Sequence, residues 1–400
     1  MGQTDDLLTR AIEKILPSRK GLADLMKKKK IRLYLGIDPT GSRLHLGHTL
    51  MLRKLQKFAN LGHEAILMFG TGTVLVGDPS ERDTGRKLIT EEEIEENIAT
   101  WKQQVSPIVD FNLVKVRYNG DWLTKMTLKD LIKVASNISA VQLLKREMFQ
   151  RRIAAGDTVW YHETMYPLLQ GYDSVALDVD LEIGGADQIF NMLVGRELAA
   201  KMNHKEKFVL AGKMISGTDG APMSKTRENC IFLTDTPGDM FGKLMGVRDD
   251  LMADYFEAFT DKPMDEIKEL NKKIKAGGVN PMDVKKDLAE LIVDDFRGRE
   301  KAREAREGFE NVFQKKQEPE EVKTVEIENE GMTLMEMVSE FGPVRSRSEA
   351  KRLIEQGGVE VNGEKIEDPF TKITAGKDEG ALVKMGKKDF VRFVFERGGE

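Results

Sequence analysis

The sequence predicts an α/β protein: a doubly wound parallel sheet first, then a helical domain and a small α+β domain. Three observations predict this. Short apolar runs alternate with helical periodicity up to about residue 215. From Pro237 the strand signals fade and helical spacing takes over, as in Val284, Leu288, Leu291, Ile292 and Phe296. A polar stretch at 314–325 carrying Pro319 then reads as a linker before a compact tail. The expected domains are 1–235, 236–313 and 331–400, with 314–330 as the linker.

In chain order, Leu7, Leu8, Ile12, Ile15 and Leu16 recur at helical spacing, so 5–16 is expected to be a helix stopped by Pro17. A second helix is expected at 21–30. The runs 31–37 and 65–69 are short, rich in Ile, Leu and aromatic residues, and end in Gly or Asp-Pro, as buried parallel strands do. Helices at 91–106 and 127–148 should flank a strand at Val114–Tyr118. Val179–Ile183 is a strand that runs into Gly184–Gln188 and another helix. A doubly wound sheet places ligands at the carboxyl ends of its strands.

Composition narrows the class. Four hundred residues exceed one ordinary core, and 40% apolar with 32% charged residues describes a globular chain. No apolar run approaches the roughly 18–20 residues that span a bilayer, so no membrane association is expected. The acidic start, Met1-Gly2-Gln3-Thr4-Asp5-Asp6, is unlike a secretory signal. A single cysteine, Cys230, excludes an internal disulfide, and five histidines lack zinc-type spacing, so a cytoplasmic protein without a protein-bound metal is expected. A net charge of −5 argues against indiscriminate nucleic-acid binding, though local basic patches remain available. Lys27–Lys30 with Arg32 reads as a solvated helix end.

The chemistry lies at strand ends. Tyr34-Leu35-Gly36-Ile37-Asp38-Pro39-Thr40-Gly41 is a strand and turn leading to a helix that starts at His45-Leu46-Gly47-His48. Such a helix start offers unpaired N–H groups and positive dipole to an anion. His45 and His48 share one face, and Gly47 lets a flat base approach the backbone. Far along the chain, Met223-Ser224-Lys225-Thr226 follows the flexible Gly217-Thr218-Asp219-Gly220 and can bring Lys225 onto a polyphosphate. The two elements read as one nucleotide site built from two ends. Between them, Asp78 ends a strand, and Arg82 and Arg86 follow on a polar loop suited to phosphate. Tyr166, Gln170 and Asp173 stand at i, i+4 and i+7, one helix face able to meet a small polar ligand. Gly184-Gly185-Ala186-Asp187-Gln188 gives close backbone approach, then an acid placed to accept from ribose hydroxyls.

With these motifs in this order, the chain resembles the bacterial tyrosyl-tRNA synthetases along nearly its whole length. The segment 34–40, the HIGH-like 45–48, Asp78-Pro79-Ser80, the Tyr166/Gln170/Asp173 row, 184–188 and the KMSKS-like 222–226 carry the resemblance. It implies a Rossmann-like class I catalytic domain, a helical anticodon-side domain and a homodimer through the catalytic domains. It also implies roles. Tyr34 and Asp173 would bind the substrate phenol; Tyr166, Asp78 and Gln170 its ammonium; Gln188 would lie near its carboxylate. Gly36, Asp38, Gly47, His48, Gly185 and Asp187 would line the ATP site. Thr40, His45, Arg82, Arg86 and Lys225, the last on an arm with Met223, Ser224 and Thr226, would gather at the phosphates. Mg2+ would accompany ATP. Two departures stand out: Pro222 replaces the usual first lysine of the KMSKS-like loop, and Leu35 is apolar where some relatives have a small polar residue at the ribose.

The tail has its own signal. Arg345, Arg347, Lys351 and Arg352 lie on a basic helix that precedes a strand and an Asn362-Gly363 hairpin turn. It is similar to the small RNA-binding domain shared with a small-subunit ribosomal protein. The implied activity is tyrosine–tRNA ligation, with tRNA(Tyr), L-tyrosine and ATP as partners. The alternatives are a synthetase of the same architecture for tryptophan, another adenylating ligase, or a catalytically silent RNA-binding protein on this scaffold.

Overall fold

A computed structural model describes residues 2–78, 89–223, 229–313, 322–327, 332–344, 346–373, 381–386 and 389–395. Its contacts divide the chain into Met1–Arg306 and Glu307–Glu400.

Among the described residues, the first unit holds a six-stranded sheet: β1 (Ile12–Leu16), β2 (Arg32–Ile37), β3 (Glu64–Phe69), β4 (Lys115–Tyr118), β5 (Leu181–Gly185) and β6 (Phe208–Gly212). The order is β1-β6-β5-β2-β3-β4, and all neighbours are parallel except the edge pair β1/β6. From β2 the chain winds outward through β3 and β4, then returns to β5 on the other side. The order therefore reverses between β2 and β5, the place where such sheets leave a crevice at their carboxyl ends. Leu33, Tyr34, Ala65, Leu67, Leu181, Ile183, Val209 and Leu210 are buried, as expected of strands covered on both faces.

The expected helix at 5–16 is corrected. Helix occupies Gln3–Leu7, Ala11 turns the chain at φ 50°, and the remainder is β1. The edge of β6 supplies ladder partners that the local apolar spacing could not reveal, and Leu16 packs on the Met192/Val209/Ala211 cluster. The expected helix at 127–148 is likewise divided into Leu128–Ala135, Ala140–Leu144 and Glu147–Ala154.

Helices Pro237–Met245, Met252–Phe259, Met264–Lys275 and Pro281–Arg297 follow the sheet within the same unit. Arg10 ties the N-terminal segment to them. Its guanidinium donates to the carbonyls of Phe256, Glu257, Thr260 and Lys262 at 2.7–3.1 Å, placing a cation on the carboxyl end of Met252–Phe259.

Nearby, Lys54 is buried with its ammonium donating to the Leu7 carbonyl at 2.9 Å. Burial, helped by Lys57, pushes its pKa down to about 7 from the usual 10.5. The folded chain thus binds fewer protons than the unfolded one between those values, and stability should rise with pH across that window. Lys54→Met is expected to abolish this rise and to raise stability at neutral pH by about 1 kcal/mol. Urea midpoints across the window check both.

In the second unit, β7 (Lys323–Ile327), β8 (Val359–Val361), β9 (Glu364–Lys365), β10 (Ala381–Met385) and β11 (Asp389–Phe395) form a sheet in the order β7-β11-β10-β8-β9. Helices Leu334–Phe341 and Arg347–Glu355 close its core through Leu334, Met337, Val338, Ala350 and Ile354. The Asn362-Gly363 turn is present, both residues at positive φ (49° and 85°), joining β8 to β9.

Candidate active site

The turn after β2 is held from below by the helix Glu91–Val105. Asn97 donates to the Pro39 carbonyl (3.0 Å), Trp101 to that of Gly41 (2.6 Å) and Gln104 to that of Ser42 (2.7 Å). The turn carries Thr40, Gly36 is the penultimate residue of the strand before it, and the helix Leu46–Asn60 follows with His45 as its N-cap. The His48 ring lies 3.9 Å from that of His45, centroid to centroid. Its Nδ1 sits 3.2 Å from the His45 N–H. The same nitrogen lies 3.2 Å from the His45 carbonyl, so the ring is held against the His45 backbone in either tautomer.

The amino-acid side of the crevice is built on the helix Tyr161–Ala176, which presents Tyr166, Gln170 and Asp173 on one face as their spacing predicts. Tyr166 donates to Asp38 Oδ2 (3.0 Å), and Thr73 donates to Asp38 Oδ1 (2.7 Å). The Asp38 carboxylate, expected at the nucleotide, is thus engaged beside the row. Asp173 is fully buried and accepts from Asn119 (3.0 Å) and from the Trp122 indole (2.8 Å). Burial pushes its carboxyl well above the ordinary range, and those two donors offset this only in part. Tyr34 is also fully buried, its hydroxyl 3.1 Å from Ser174 Oγ and 3.4 Å from the Gln170 carbonyl. Burial, then the charges of Glu182 and Asp173, raises its pKa well above normal, so it stays a neutral donor. Gln170 Nε2 donates to Glu182 (3.1 Å), whereas its buried Oε1 has no partner among the described residues. A buried acceptor left open beside a phenol and carboxylates suits a cationic ligand group.

At the end of β5, Gly185 makes room for Asp187: a Cβ there would lie 2.3 Å from Asp187 Oδ1. Gln188 bridges Asp187 and Asp78, donating to each at 2.7 Å. Burial raises the Asp187 pKa, opposed by the hydrogen bond from Gln188.

The backbone flanking the distant element, with Met223, comes to the same place. The backbone at 231–233 pairs antiparallel with 44–46, through Leu46 N–H to Ile231 O and Leu233 N–H to Leu44 O, both 2.8 Å. Met223 then lies so near the histidine turn that a Cβ on Gly47 would stand 3.0 Å from its sulfur. Met223, about 175 residues beyond the histidine turn in sequence, therefore adjoins it in space. The family described as "tRNA synthetases class I (W and Y)" matches residues 26–314. The chain belongs to this family.

An S4 domain matches residues 332–378 of this synthetase. The tyrosine–tRNA ligase of Thermotoga maritima is 41% identical over 395 residues, covering 98% of this chain and 97% of its own. That of Oleidesulfovibrio alaskensis is 41% identical over 372 residues, 92% and 93% of the two chains. Among solved structures, the Archaeoglobus fulgidus tyrosyl-tRNA synthetase complexed with L-tyrosine superposes with a TM-score of 0.61 at 22% identity, covering 76% of this chain and all of that one. A truncated mitochondrial enzyme from Aspergillus nidulans gives 0.65 at 20% identity, covering 78% and 94%. These last two speak to the fold: a class I synthetase architecture.

Of the residues singled out in the sequence, Arg82, Arg86, Ser224, Lys225, Thr226 and Arg345 lie outside the described residues. Arg347, Lys351 and Arg352 are exposed on the helix Arg347–Glu355 of the second unit. Sequence reasoning missed Thr73, Asn119, Trp122, Ser174, Glu182, Lys207 and Arg146. Asn119 and Trp122 follow β4 directly, so the strand-end rule applied once more would have flagged them. Arg146, buried 4.0 Å from Asp78 and over the Phe190 ring, gave no local signal.

Proposed function

We propose that this synthetase is a tyrosine–tRNA ligase. The tyrosine carboxylate attacks the α-phosphorus of ATP, forming tyrosyl-adenylate and releasing pyrophosphate. A ribose hydroxyl at the 3′ end of tRNA(Tyr) then attacks the tyrosyl carbonyl and AMP leaves. The observation that carries the choice of tyrosine is the buried donor–acceptor set of Tyr34 and Asp173 at one end of the row, with the open Gln170 acceptor beside it. Tyr34 and Asp173 take the phenol; Tyr166, Gln170 and Asp78 take the ammonium; Gln188 lies at the carboxylate. Gly36, His48, Gly185 and Asp187 line the adenosine. Thr40, His45, Arg82, Arg86 and Lys225 meet the phosphates, where aligned donors stabilise charge developing on the leaving pyrophosphate. Among the described residues, no group of three or more His, Cys, Asp or Glu side chains is placed to hold a metal ion. Magnesium is proposed to accompany the nucleotide, as MgATP.

Pyrophosphate exchange measured with each of the twenty amino acids tests the reading. Exchange with tyrosine alone supports it. Exchange with tryptophan or another amino acid replaces it with that ligase, and none at all points to a silent RNA-binding protein.

The S4 domain suggests that the exposed face of Arg347, Lys351 and Arg352 meets tRNA phosphates, with the helices from Pro237 on the anticodon side. Lys351→Ala/Arg352→Ala is expected to weaken tRNA binding uniformly and to lower the slope of log K against log salt by about 1 per lost contact, with tyrosine activation unaltered. Filter binding across a salt series reads this.

The exposed Leu128, Ile132, Val141, Leu144, Trp160 and Tyr161 crowd onto the short helices preceding and opening the row helix, and support a homodimer through the catalytic unit. Ile132→Asp/Val141→Asp is expected to shift sedimentation from dimer to monomer. No helix among the described residues is long and apolar enough to cross a membrane; the cytoplasm is the compartment proposed.

A further inference from the structure

The loop Phe232–Asp235 carries a charged cluster that the reaction as described does not use. Arg43, two residues before His45, donates through Nε to Thr234 Oγ1 (2.8 Å) and through a terminal nitrogen to Asp235 Oδ1 (3.0 Å). Its guanidinium carbon lies 3.9 Å from the centroid of the Phe232 ring. The buried Asp235 is shared: its Oδ2 accepts from Lys243 Nζ (2.7 Å) and from the Phe232 N–H (2.8 Å). Arg297 fastens the same loop, donating to the carbonyls of Leu233 (2.6 Å) and Asp235 (2.9 Å). The loop is thereby anchored to the helices Pro237–Met245 and Pro281–Arg297, and Arg43 fastens the histidine turn to it.

We propose that Arg43 and Asp235 are positioning residues for adenylate formation, holding His45 at the phosphates of ATP. The inference rests on the reading of the histidine turn as the nucleotide site. Stability alone is a weak reason for Arg43, because its side chain is 48% exposed and ion pairs in such places contribute little. Position is a stronger one. The backbone bonds between 44–46 and 231–233 straddle His45, which is bridged to Phe232. In that register Arg43 stands opposite Thr234 and closes the ladder at its end. The guanidinium plane is set by the Phe232 ring on its face and by two acceptors at its edge, so the turn cannot slide along 231–233 without breaking all three contacts. Lys243 and the Phe232 N–H in turn orient the Asp235 carboxylate that receives Arg43. Misplacing a reacting geometry by about 1 Å costs up to roughly a hundredfold in rate, so a contact of little worth to folding can matter to the activation step. Both residues act through His45, and neither is assigned a substrate contact.

The test is pyrophosphate exchange by the full chain, with tyrosine and ATP varied in turn. Arg43→Met keeps an apolar stem over Phe232 and removes both donors. It is expected to lower kcat about tenfold, with KM for tyrosine unaltered and the urea midpoint little changed. Asp235→Asn keeps an acceptor for the Phe232 N–H and is expected to show the same split. The deciding comparison places Arg43→Met in a His45→Ala background, where a residue that acts through His45 adds little to the loss already present. An equal further loss in that background overturns the inference. So does a wild-type kcat in either single variant, a matching rise in KM for tyrosine, or a urea midpoint that falls sharply in both. His45→Ala with the wild-type exchange rate would instead overturn the reading of the histidine turn as the nucleotide site, and the inference with it, which separates the two failures.

Discussion

Asp173→Ala is expected to lower kcat/KM for tyrosine by about a hundredfold, the equivalent of about 3 kcal/mol, while KM for ATP stays near its wild-type value. The size follows from what the carboxylate does. It is fully buried and accepts from Asn119 and Trp122 before any ligand arrives. Removing it strands two buried donors and takes the acceptor from the substrate phenol in the same step. The loss should fall on the amino acid because the Asp173 partners all lie on that side of the crevice, and the histidine turn is held separately by Asn97, Trp101 and Gln104. Exchange kinetics with each substrate varied in turn provide the check. Equal losses for tyrosine and ATP would show that Asp173 supports the fold of the whole crevice instead.

Lys225→Ala is expected to produce the complementary pattern: an activation rate lower by roughly 10²–10³-fold with tyrosine affinity nearly unaltered. Pro222 supplies no cation where relatives usually carry one, which concentrates the demand on Lys225 with Arg82 and Arg86. The residue before this arm's active part, Met223, packs against Gly47 at the histidine turn, so the chain leaves Met223 already beside the nucleotide end of the crevice. Single-turnover adenylate formation separates rate from affinity. A Lys225→Ala enzyme that forms adenylate at the wild-type rate would remove this lysine from the phosphate site.

Much of the local geometry of the candidate site could be read in advance because its parts are local. The Tyr166/Gln170/Asp173 row needed only the helical repeat, and the Asn362-Gly363 turn needed only the tolerance of those residues for positive φ. The stretch 5–16 shows the limit. Its apolar spacing satisfied a helix, yet the open edge of β6, nearly two hundred residues later, converted half of it to strand. The same holds for the 127–148 region, where three short helices replace the expected single one.

Taken alone, the sequence determined which residues are proposed to carry the chemistry and in what order: the strand-end glycines, the two histidines, the helical row and the basic tail helix. Each is specified by neighbours within a few positions. Tertiary structure decided what those residues are bonded to. Asp38 meets Tyr166 and Thr73, Asp173 meets Asn119 and Trp122, and Tyr34 meets Ser174 with Lys207 behind it. Those partners come from different strands and helices, brought together only when the sheet winds in both directions from β2. A hydrogen bond depends on distance in space, and no local periodicity encodes it.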